Sequence, residues 1–318
     1  MSYLLGLDGG GTKTDCVVSN TQGDVIGMGR AGPSSPLRCG FDAAFQSLSE
    51  AAAEALKEAK LPSTALASVC AGLAGAGRSS VVRRTTEFLA KAFPGAQTHV
   101  ATDYEIALEA AVGIGAGVVL IAGTGSVAYG RNDPGETARA GGYGPWVGDE
   151  GSAFDIGRRA ISAVARTRDM SAPPTLLSSL SLAALNCPDW EELTDRTMRN
   201  PDEVFPKLFP VVAAAADAED SAAREILFTS AIGLANLAMI VVRKLGLGDS
   251  GSEFPLVKCG GVFGHSRMLD SLLDSVVSSG APQAKLSKLD ISPAVGAARL
   301  AKRLLEGSHP PVLHDAPK

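Results

Sequence analysis

The sequence predicts an α/β fold divided into two domains. Strand-like and helix-like segments alternate over the first part of the chain, and the pattern restarts after the glycine-rich segment 113–117. The chain has 318 residues, of which 45% are hydrophobic, so it can bury a core large enough for two domains of ordinary size. We therefore expect a first domain over residues 1–115 and a second domain, with a helical insertion, over residues 116–292.

Three strands and a helix open the first domain. Apolar runs predict strands at residues 3–8, 14–19 and 24–29, and a segment rich in Ala, Glu and Leu predicts an amphipathic helix at about 41–59. Strands and helices then alternate, with strands expected at Leu66–Ala71 and Thr98–Thr102 and helices at Ser79–Ala92 and Tyr104–Ala111. This order is typical of one α/β domain built on a mixed sheet.

The second domain begins with a pattern like that of the first. A strand at Val118–Ala122, a turn of glycine and hydroxyl residues and a strand at Val127–Arg131 predict a structural echo between the two halves. A mostly helical stretch from about 151 to 245 follows. The last predicted elements are a strand at Leu256–Cys259, a helix at Ser266–Ser278 and a helix at Pro293–Leu305. We expect the final helix to complete the first domain and residues 307–318 to form a frayed tail.

Charge and cysteine content narrow the functional class. The net charge is -5, with Lys+Arg 29 against Asp+Glu 34, and no basic block occurs, which argues against a nucleic-acid partner. The cysteines are odd in number and far apart, which indicates reduced thiols in a cytoplasmic protein: Cys16, Cys39, Cys70, Cys187 and Cys259. The N-terminus lacks the basic and apolar regions of a signal peptide, so none is expected. The uncharged run Ile226–Val242 lies within a longer helical pattern, so it predicts a buried core helix and no membrane attachment.

Two glycine-rich turns carry the chemical signal. The first is Asp8-Gly9-Gly10-Gly11-Thr12-Lys13-Thr14, whose three adjacent glycines weaken any strand or helix and predict a turn with backbone amides facing an anion. The second is Gly123-Thr124-Gly125-Ser126, at the matching point of the second domain. Either turn alone is as typical of an ordinary tight hairpin. Together they favour binding of a polyphosphate.

These turns and two further stretches resemble a known family. Asp8–Thr14, Ala122–Ser126 and Cys259–Val262 look like the first phosphate, second phosphate and adenosine motifs of the sugar kinase, actin and heat-shock ATPase superfamily. The stretch Gly141–Ser152 closely resembles the signature of N-acetylglucosamine kinases in the BadF/BadG/BcrA/BcrD ATPase family, and its portion Gly148–Ser152 is the most specific part. The resemblance covers about residues 4–303.

The resemblance implies two ribonuclease-H-like domains of the actin-like ATPase type, with a cleft for nucleotide and sugar between them. It also implies ATP and Mg²⁺ as cofactors and a small-molecule sugar as substrate. Asp103, just after a strand and before a helix, matches the acid that takes the proton from the attacking sugar hydroxyl. The alternative for Asp103 is a helix N-cap, a position that Asp favours. Asp8 matches the residue that holds the magnesium ion.

The other site residues follow from the same motifs. The residues matched to the nucleotide are Gly10, Gly11, Thr12 and Lys13 in the first turn, Gly123, Thr124 and Gly125 in the second, and Gly260 and Gly261 in the adenosine loop. The residues matched to the sugar are Ser35, Asp103, Gly142, Tyr143 and Asp149. Two of these have simpler alternatives: Lys13 as a solvent-facing lysine, and Asp149 as the cap of a helix expected at Gly151–Thr167.

The function that the resemblance implies is ATP-dependent phosphorylation of an amino sugar, with N-acetylglucosamine as the first expectation. Glucosamine, another hexose and N-acetylmuramic acid are alternative acceptors, because Ser35, Ala74 and Tyr143 stand where relatives carry asparagine, serine and tryptophan. An ATP-driven activator of 2-hydroxyacyl-CoA dehydratases is the alternative of another class. Those relatives share an iron–sulfur cluster through closely placed cysteines, whereas the cysteines of this chain are scattered. Relatives are often dimers, so a homodimer is also considered.

Overall fold

Two compact units divide the chain in the computed structural model, which describes residues 2–307. The first unit comprises the described residues 2–117, 131–137 and 289–307, and the second comprises residues 118–130 and 138–288. The chain therefore passes between the units after residues 117, 130, 137 and 288. The predicted tail lies outside the described residues except for Gly307.

A five-stranded mixed sheet forms the centre of the first unit. Its strands are β1 (Tyr3–Gly9), β2 (Thr14–Asn20), β3 (Val25–Ala31), β4 (Leu66–Leu73) and β5 (Gln97–Thr102), in the spatial order β3-β2-β1-β4-β5. β1, β2 and β3 pair in antiparallel fashion, whereas β1, β4 and β5 pair in parallel. All five predicted strands of this half are confirmed.

The helices of the first unit flank this sheet. They are α1 (Pro36–Cys39), α2 (Phe41–Ala59), α3 (Ser79–Ala92), α4 (Asp103–Val112) and the C-terminal α12 (Pro293–Leu305). Only the four-residue α1 was not predicted, and it starts with proline at its first position, where the missing amide hydrogen costs nothing. α12 packs on β1 so closely that a methyl group on Gly6 would overlap the Ala294 carbonyl oxygen and the Ala298 amide nitrogen.

The second unit repeats the strand order of the first. Its strands are β6 (Gly117–Ala122), β7 (Ser126–Arg131), β8 (Thr137–Gly141), β9 (Phe254–Cys259) and β10 (Ala284–Lys288), in the spatial order β8-β7-β6-β9-β10. β6 pairs with β9 in parallel, and β9 pairs with β10 in parallel. The predicted echo between the two halves is therefore confirmed, although β8 and β10 were not predicted.

Helices make up most of the remaining second unit. They are α5 (Ala153–Arg168), α6 (Leu177–Leu185), α7 (Trp190–Arg199), α8 (Pro201–Lys207), α9 (Phe209–Asp217), α10 (Ser221–Leu245) and α11 (Arg267–Gly280). Within residues 2–307, α10 is the one helix long and apolar enough to cross a membrane. It packs instead in the core of its unit, with Leu227, Leu234 and Val241 fully buried, as the sequence predicts. None of the five cysteines, all of which lie in the described part, forms a disulfide.

The stability of the first unit should be sensitive to any substitution of Gly6, because this residue contacts α12. We expect Gly6→Ala to lower the free energy of unfolding by about 2 kcal/mol or more, because the added methyl group meets backbone atoms that cannot rotate away. Urea-induced unfolding measures this change. Gly77→Ala is the matched control, since a methyl group there meets only the Tyr104 hydroxyl at 4.0 Å. Equal stability of the two variants would contradict close packing of α12 on β1.

Candidate functional site

The first glycine turn connects β1 to β2 at the carboxyl end of β1. The Gly10 amide donates to the Lys13 carbonyl at 3.0 Å, which closes the turn. Thr12 and Lys13 are both exposed, and the Lys13 ammonium group pairs with the Asp15 carboxylate. Thr12 is thus at the surface of the turn, while the charge of Lys13 is shared with Asp15.

Two loops that are distant in sequence meet this turn. The Gly10 carbonyl accepts hydrogen bonds from the amides of Ser34 (3.1 Å) and Ser35 (3.2 Å), and the Gly9 carbonyl accepts one from the Ala74 amide (3.0 Å). The Ser35 hydroxyl donates to the Ala74 carbonyl at 3.3 Å, and Ser35 is only 3% exposed. Ser35 and Ala74, two of the three positions at which the chain departs from the family pattern, therefore lie together, and the Ser35 hydroxyl already has a backbone acceptor.

Asp103 is the first residue of α4, and its neighbours perform the capping. Thr102 is the N-cap: its hydroxyl accepts from the Glu105 amide at 3.3 Å, and the Glu105 carboxylate accepts from the Thr102 amide at 2.7 Å. The alternative interpretation of Asp103 as the cap is therefore wrong, because this reciprocal capping box already satisfies the helix end. The Asp103 carboxylate instead accepts from the Tyr104 amide at 3.1 Å, in the first turn of a helix, where negative charge is favoured.

The carboxyl group of Asp8 lies in an unusual electrostatic environment. Its pKa is raised to about 7, first because burial removes it from water and then because Asp103 and Asp15 carry like charges. The nearby Lys13 lowers the same pKa but does not cancel these effects. Asp8 and Asp103 are thus close enough to repel each other when both are ionised.

This repulsion fits a divalent cation at Asp8. Magnesium is usually held by one or two carboxylates together with substrate phosphates, rather than by an all-protein cage. Residues 2–307 contain no group of three or more His, Cys, Asp or Glu side chains that could hold a metal by themselves. A cation near Asp8 would offset the charges of Asp8 and Asp103 beside the first turn, so the residues present suit Mg²⁺.

Arg38 lies over the first turn, a position in the candidate site that the sequence does not predict. A methyl group placed on Gly11 would lie 2.8 Å from Nη1 of Arg38, so the guanidinium group covers this glycine. Arg38 belongs to the short helix α1, whose fold brings it there. A single arginine in a four-residue helix gives no sequence signal of such a position. It adds positive charge beside the amides that the first turn presents.

The second glycine turn is hydrogen-bonded to residues at the end of the loop that follows β8. The Gly123 carbonyl accepts from the Ala153 amide at 2.9 Å, and the Ser126 hydroxyl donates to the Glu150 carbonyl at 2.8 Å. Thr124, at the tip, is partly exposed. The turn and the Gly148–Ser152 loop therefore form one hydrogen-bonded assembly within the second unit.

Asp149 lies at the centre of this assembly. It is 6% exposed, and a methyl group on Gly125 would lie 2.6 Å from its Oδ2 atom, so the carboxylate lies directly against this glycine. The N-cap of α5 is Ser152, whose hydroxyl accepts from the Asp155 amide. The alternative interpretation of Asp149 as the helix cap is therefore wrong.

Gly142 and Tyr143 occupy the exposed start of the same loop. The Gly142 amide donates to the Ser126 carbonyl at 2.9 Å, which ties it to the second turn. Tyr143 is 64% exposed, and the Arg139 guanidinium carbon lies 5.1 Å from the centre of its ring. The aromatic ring is thus presented to solvent with a cation on one face.

The adenosine loop begins where β9 ends. The Val262 amide donates to the Ala122 carbonyl at 3.0 Å, directly before the second glycine turn. A methyl group on Gly261 would meet no atom within 4 Å, so the backbone there borders open space. Gly260, by contrast, has a φ of +110° and packs against the Ala122 backbone, where a methyl group would lie 2.4 Å from the carbonyl oxygen. The loop therefore lies beside the second turn, with open space at Gly261.

Comparison with known proteins identifies relatives over nearly the full chain. Residues 5–301 match the BadF/BadG/BcrA/BcrD ATPase family. The N-acetyl-D-glucosamine kinase of Dictyostelium discoideum is 29% identical over 315 residues, covering 94% of this chain and 97% of that protein. The N-acetylmuramic acid/N-acetylglucosamine kinase of Clostridium acetobutylicum is 29% identical over 304 residues, covering 95% and 99% of the two chains. The solved structure of a candidate N-acetylglucosamine kinase from Chromobacterium violaceum is 26% identical, with a TM-score of 0.75 and coverage of 94% and 98%.

Asp8 should make stability depend on pH. Its pKa of about 7 in the folded protein exceeds the ordinary value of 3.8, so the folded state binds more protons than the unfolded state between these values. The contribution of Asp8 to stability therefore falls as pH rises through this window. We expect Asp8→Asn to gain stability relative to the unmodified protein as pH rises from about 5 to about 8, because asparagine stays uncharged.

Urea unfolding at several pH values measures this difference. Asp42→Asn is the control, because Asp42 is an exposed acid in the first turn of α2. The difference between Asp8→Asn and the unmodified protein should change across the window, and that for Asp42→Asn should stay flat. Parallel pH curves for Asp8→Asn and the unmodified protein would show that Asp8 does not titrate there.

Proposed function

The chain belongs to the BadF/BadG/BcrA/BcrD ATPase family, and we propose that it is an ATP-dependent kinase that phosphorylates a hydroxyl group of an amino sugar. N-acetylglucosamine is the proposed first substrate, because it is named for both full-length relatives. N-acetylmuramic acid is the next acceptor to consider, since one of these relatives is named for both sugars.

The observation that carries this proposal is the arrangement of Asp103 and Asp8 beside the first turn. Thr102 and Glu105 cap α4, so the Asp103 carboxylate is not needed for that structural task. Its charge helps to raise the pKa of Asp8, which supports a role for both acids in one site. A base and a cation-binding acid beside a phosphate-binding turn are the groups that phosphoryl transfer requires.

In the proposed reaction Asp103 accepts the proton of the attacking sugar hydroxyl. The hydroxyl oxygen forms a bond to the terminal phosphorus of ATP as the bond from that phosphorus to the bridging oxygen breaks, and ADP leaves. The amides of Gly10 and Gly123 close their own turns, so other backbone amides of the two turns would donate to phosphate oxygens. Mg²⁺, when bound through Asp8, would neutralise charge on the phosphates.

The sugar side of the proposal rests on the second unit. Asp149 is buried and held in a fixed loop, so its carboxylate is suited to accept hydrogen bonds from sugar hydroxyls. Tyr143 offers an exposed aromatic ring on the same loop. Gly261 leaves space for the adenosine group, which the same unit would bind, while Gly260 lets the loop pack against Ala122.

An ADP-release assay with a panel of acceptors tests this function. The panel contains N-acetylglucosamine, N-acetylmuramic acid, glucosamine and glucose, each with ATP and Mg²⁺. We expect ADP release to depend on an amino sugar and a phosphorylated sugar to form in equal amount. ADP release that is equal with and without every sugar would instead favour the ATP-driven activator.

Asp103→Asn tests the proposed base directly. We expect kcat to fall by about 10² or more, because asparagine cannot take the proton, while the Kd for ATP measured by calorimetry changes little. Asp42→Asn again serves as control, since it removes an acid from the first turn of another helix and should leave kcat unchanged. Turnover within threefold of the unmodified protein in Asp103→Asn would remove Asp103 from the mechanism.

A further inference from the structure

The loop that carries Asp149 is held in a conformation that its sequence does not favour. Asp149 has a φ of +59°, in the left-handed region that residues other than glycine rarely adopt. Such a conformation is unfavourable for a side chain with a Cβ atom and persists where surrounding contacts fix it. The contacts that fix this loop therefore bear on the position of the Asp149 carboxylate.

One of these contacts comes from a side chain with no assigned role. Oδ2 of Asp155 accepts a hydrogen bond from the Gly151 amide at 3.1 Å, two residues after Asp149. Asp155 is the third residue of α5, where an acidic side chain often reaches back to the amide of the N-cap. Here the N-cap residue is Ser152, and its amide donates to the Asp149 carbonyl at 3.1 Å. The Asp155 carboxylate therefore accepts from the preceding amide, that of Gly151.

Two arginines hold the Asp155 carboxylate in place. Oδ1 accepts from Nη2 of Arg158 at 2.9 Å, and Oδ2 accepts from Nε of Arg159 at 2.9 Å. The Asp155 side chain is 7% exposed, whereas those of Arg158 and Arg159 are 41% and 33% exposed. A buried carboxylate with both oxygens engaged has little freedom to move, so it gives the Gly151 amide a fixed acceptor.

We propose that Asp155 is a positioning residue for the sugar site. Through the Gly151 amide it fixes the backbone on the helix side of Asp149, while Ser126 fixes the Glu150 carbonyl. Loss of the Asp155 carboxylate lets the loop relax from the left-handed conformation at Asp149, and the Asp149 carboxylate then leaves its place beside Gly125. This inference rests on the proposed role of Asp149 as a sugar ligand.

Kinetics of Asp155→Ala and Asp155→Asn test the proposal. We expect Asp155→Ala to raise the KM for the sugar about tenfold or more, with the KM for ATP within twofold and kcat within threefold of the unmodified protein. Asp155→Asn should give a smaller increase in the KM for the sugar, because its carbonyl oxygen can still accept from the Gly151 amide. A merely structural role would lower the amount of active protein and leave the KM for the sugar unchanged.

Asp220→Ala is the matched control within the same unit. The Asp220 carboxylate caps α10, accepting from the amides of Ala223 at 2.9 Å and Leu176 at 2.7 Å, without a contact to the Asp149 loop among the described residues. It should lower stability as Asp155→Ala does but leave the KM for the sugar within twofold. An equal increase in that KM in both variants would overturn the proposal.

Hydrogen exchange of the peptide that spans residues 148–154 gives a second readout that needs no activity. In Asp155→Ala the Gly151 amide should exchange faster, while peptides from α10 keep their protection. In Asp155→Asn the increase should be smaller but measurable, because a neutral oxygen accepts a weaker hydrogen bond and pairs less firmly with Arg158 and Arg159. If no sugar on the panel is phosphorylated by the unmodified protein, the proposed function fails and this exchange alone decides the role of Asp155. Unchanged exchange in soluble Asp155→Asn overturns the positioning role even if Asp155→Ala does not fold.

Discussion

The parallel register of three neighbouring strands is the constraint on which the site of the first unit depends. Asp8 of β1 pairs with Gly72 of β4, and Leu73 of β4 pairs with Thr102 of β5. Because the carboxyl ends of parallel strands meet at one edge of a sheet, the segments after these strands begin side by side although they are distant in sequence. A shift of one residue would turn the Asp8 side chain to the other face of the sheet, away from Asp103.

The same constraint operates in the second unit. Ile121 of β6 pairs with Cys259 of β9, so the turn that follows β6 and the adenosine loop that follows β9 begin at one edge of that sheet. In both units the first strand is central, its hairpin partner lies on one side and a parallel strand lies on the other. A glycine turn at the end of the central strand is therefore next to the following parallel strand in each case. The topology explains why two dissimilar sequences place their glycine turns alike.

The sequence predicts elements that a short stretch of residues marks by itself. It does not predict weakly marked strands or side-chain positions that depend on the tertiary fold. Apolar runs and glycine turns marked the hairpins at the start of both halves, but β8 and β10 have only five residues each, with exposed or partly exposed polar side chains, so no apolar run marks them. The caps of α4 and α5 were readable as Thr102-x-x-Glu105 and Ser152-x-x-Asp155, but Asp103 and Asp149 stood nearby, and Asp is itself a favoured cap. The position of Arg38 over Gly11 depends on how a loop folds, which no residue spacing records.

A carboxylate beside a helix N-terminus can either cap the helix or contact a ligand. In both units another residue caps the helix, so the acid is not needed for that role. A hydroxyl-bearing residue, Thr102 or Ser152, satisfies the first amides of the helix, a task that is worth about 1 kcal/mol. The acid beside it, Asp103 or Asp149, then keeps its carboxylate for other partners. If Asp103 were the N-cap, its side chain would accept from an amide two or three residues further along the chain. It accepts instead from the adjacent Tyr104 amide, and its charge raises the pKa of Asp8. The unfavourable pair of acids in the first unit is thus maintained by a favourable helix end next to it, which is how a fold can hold charges that only a bound ligand would balance.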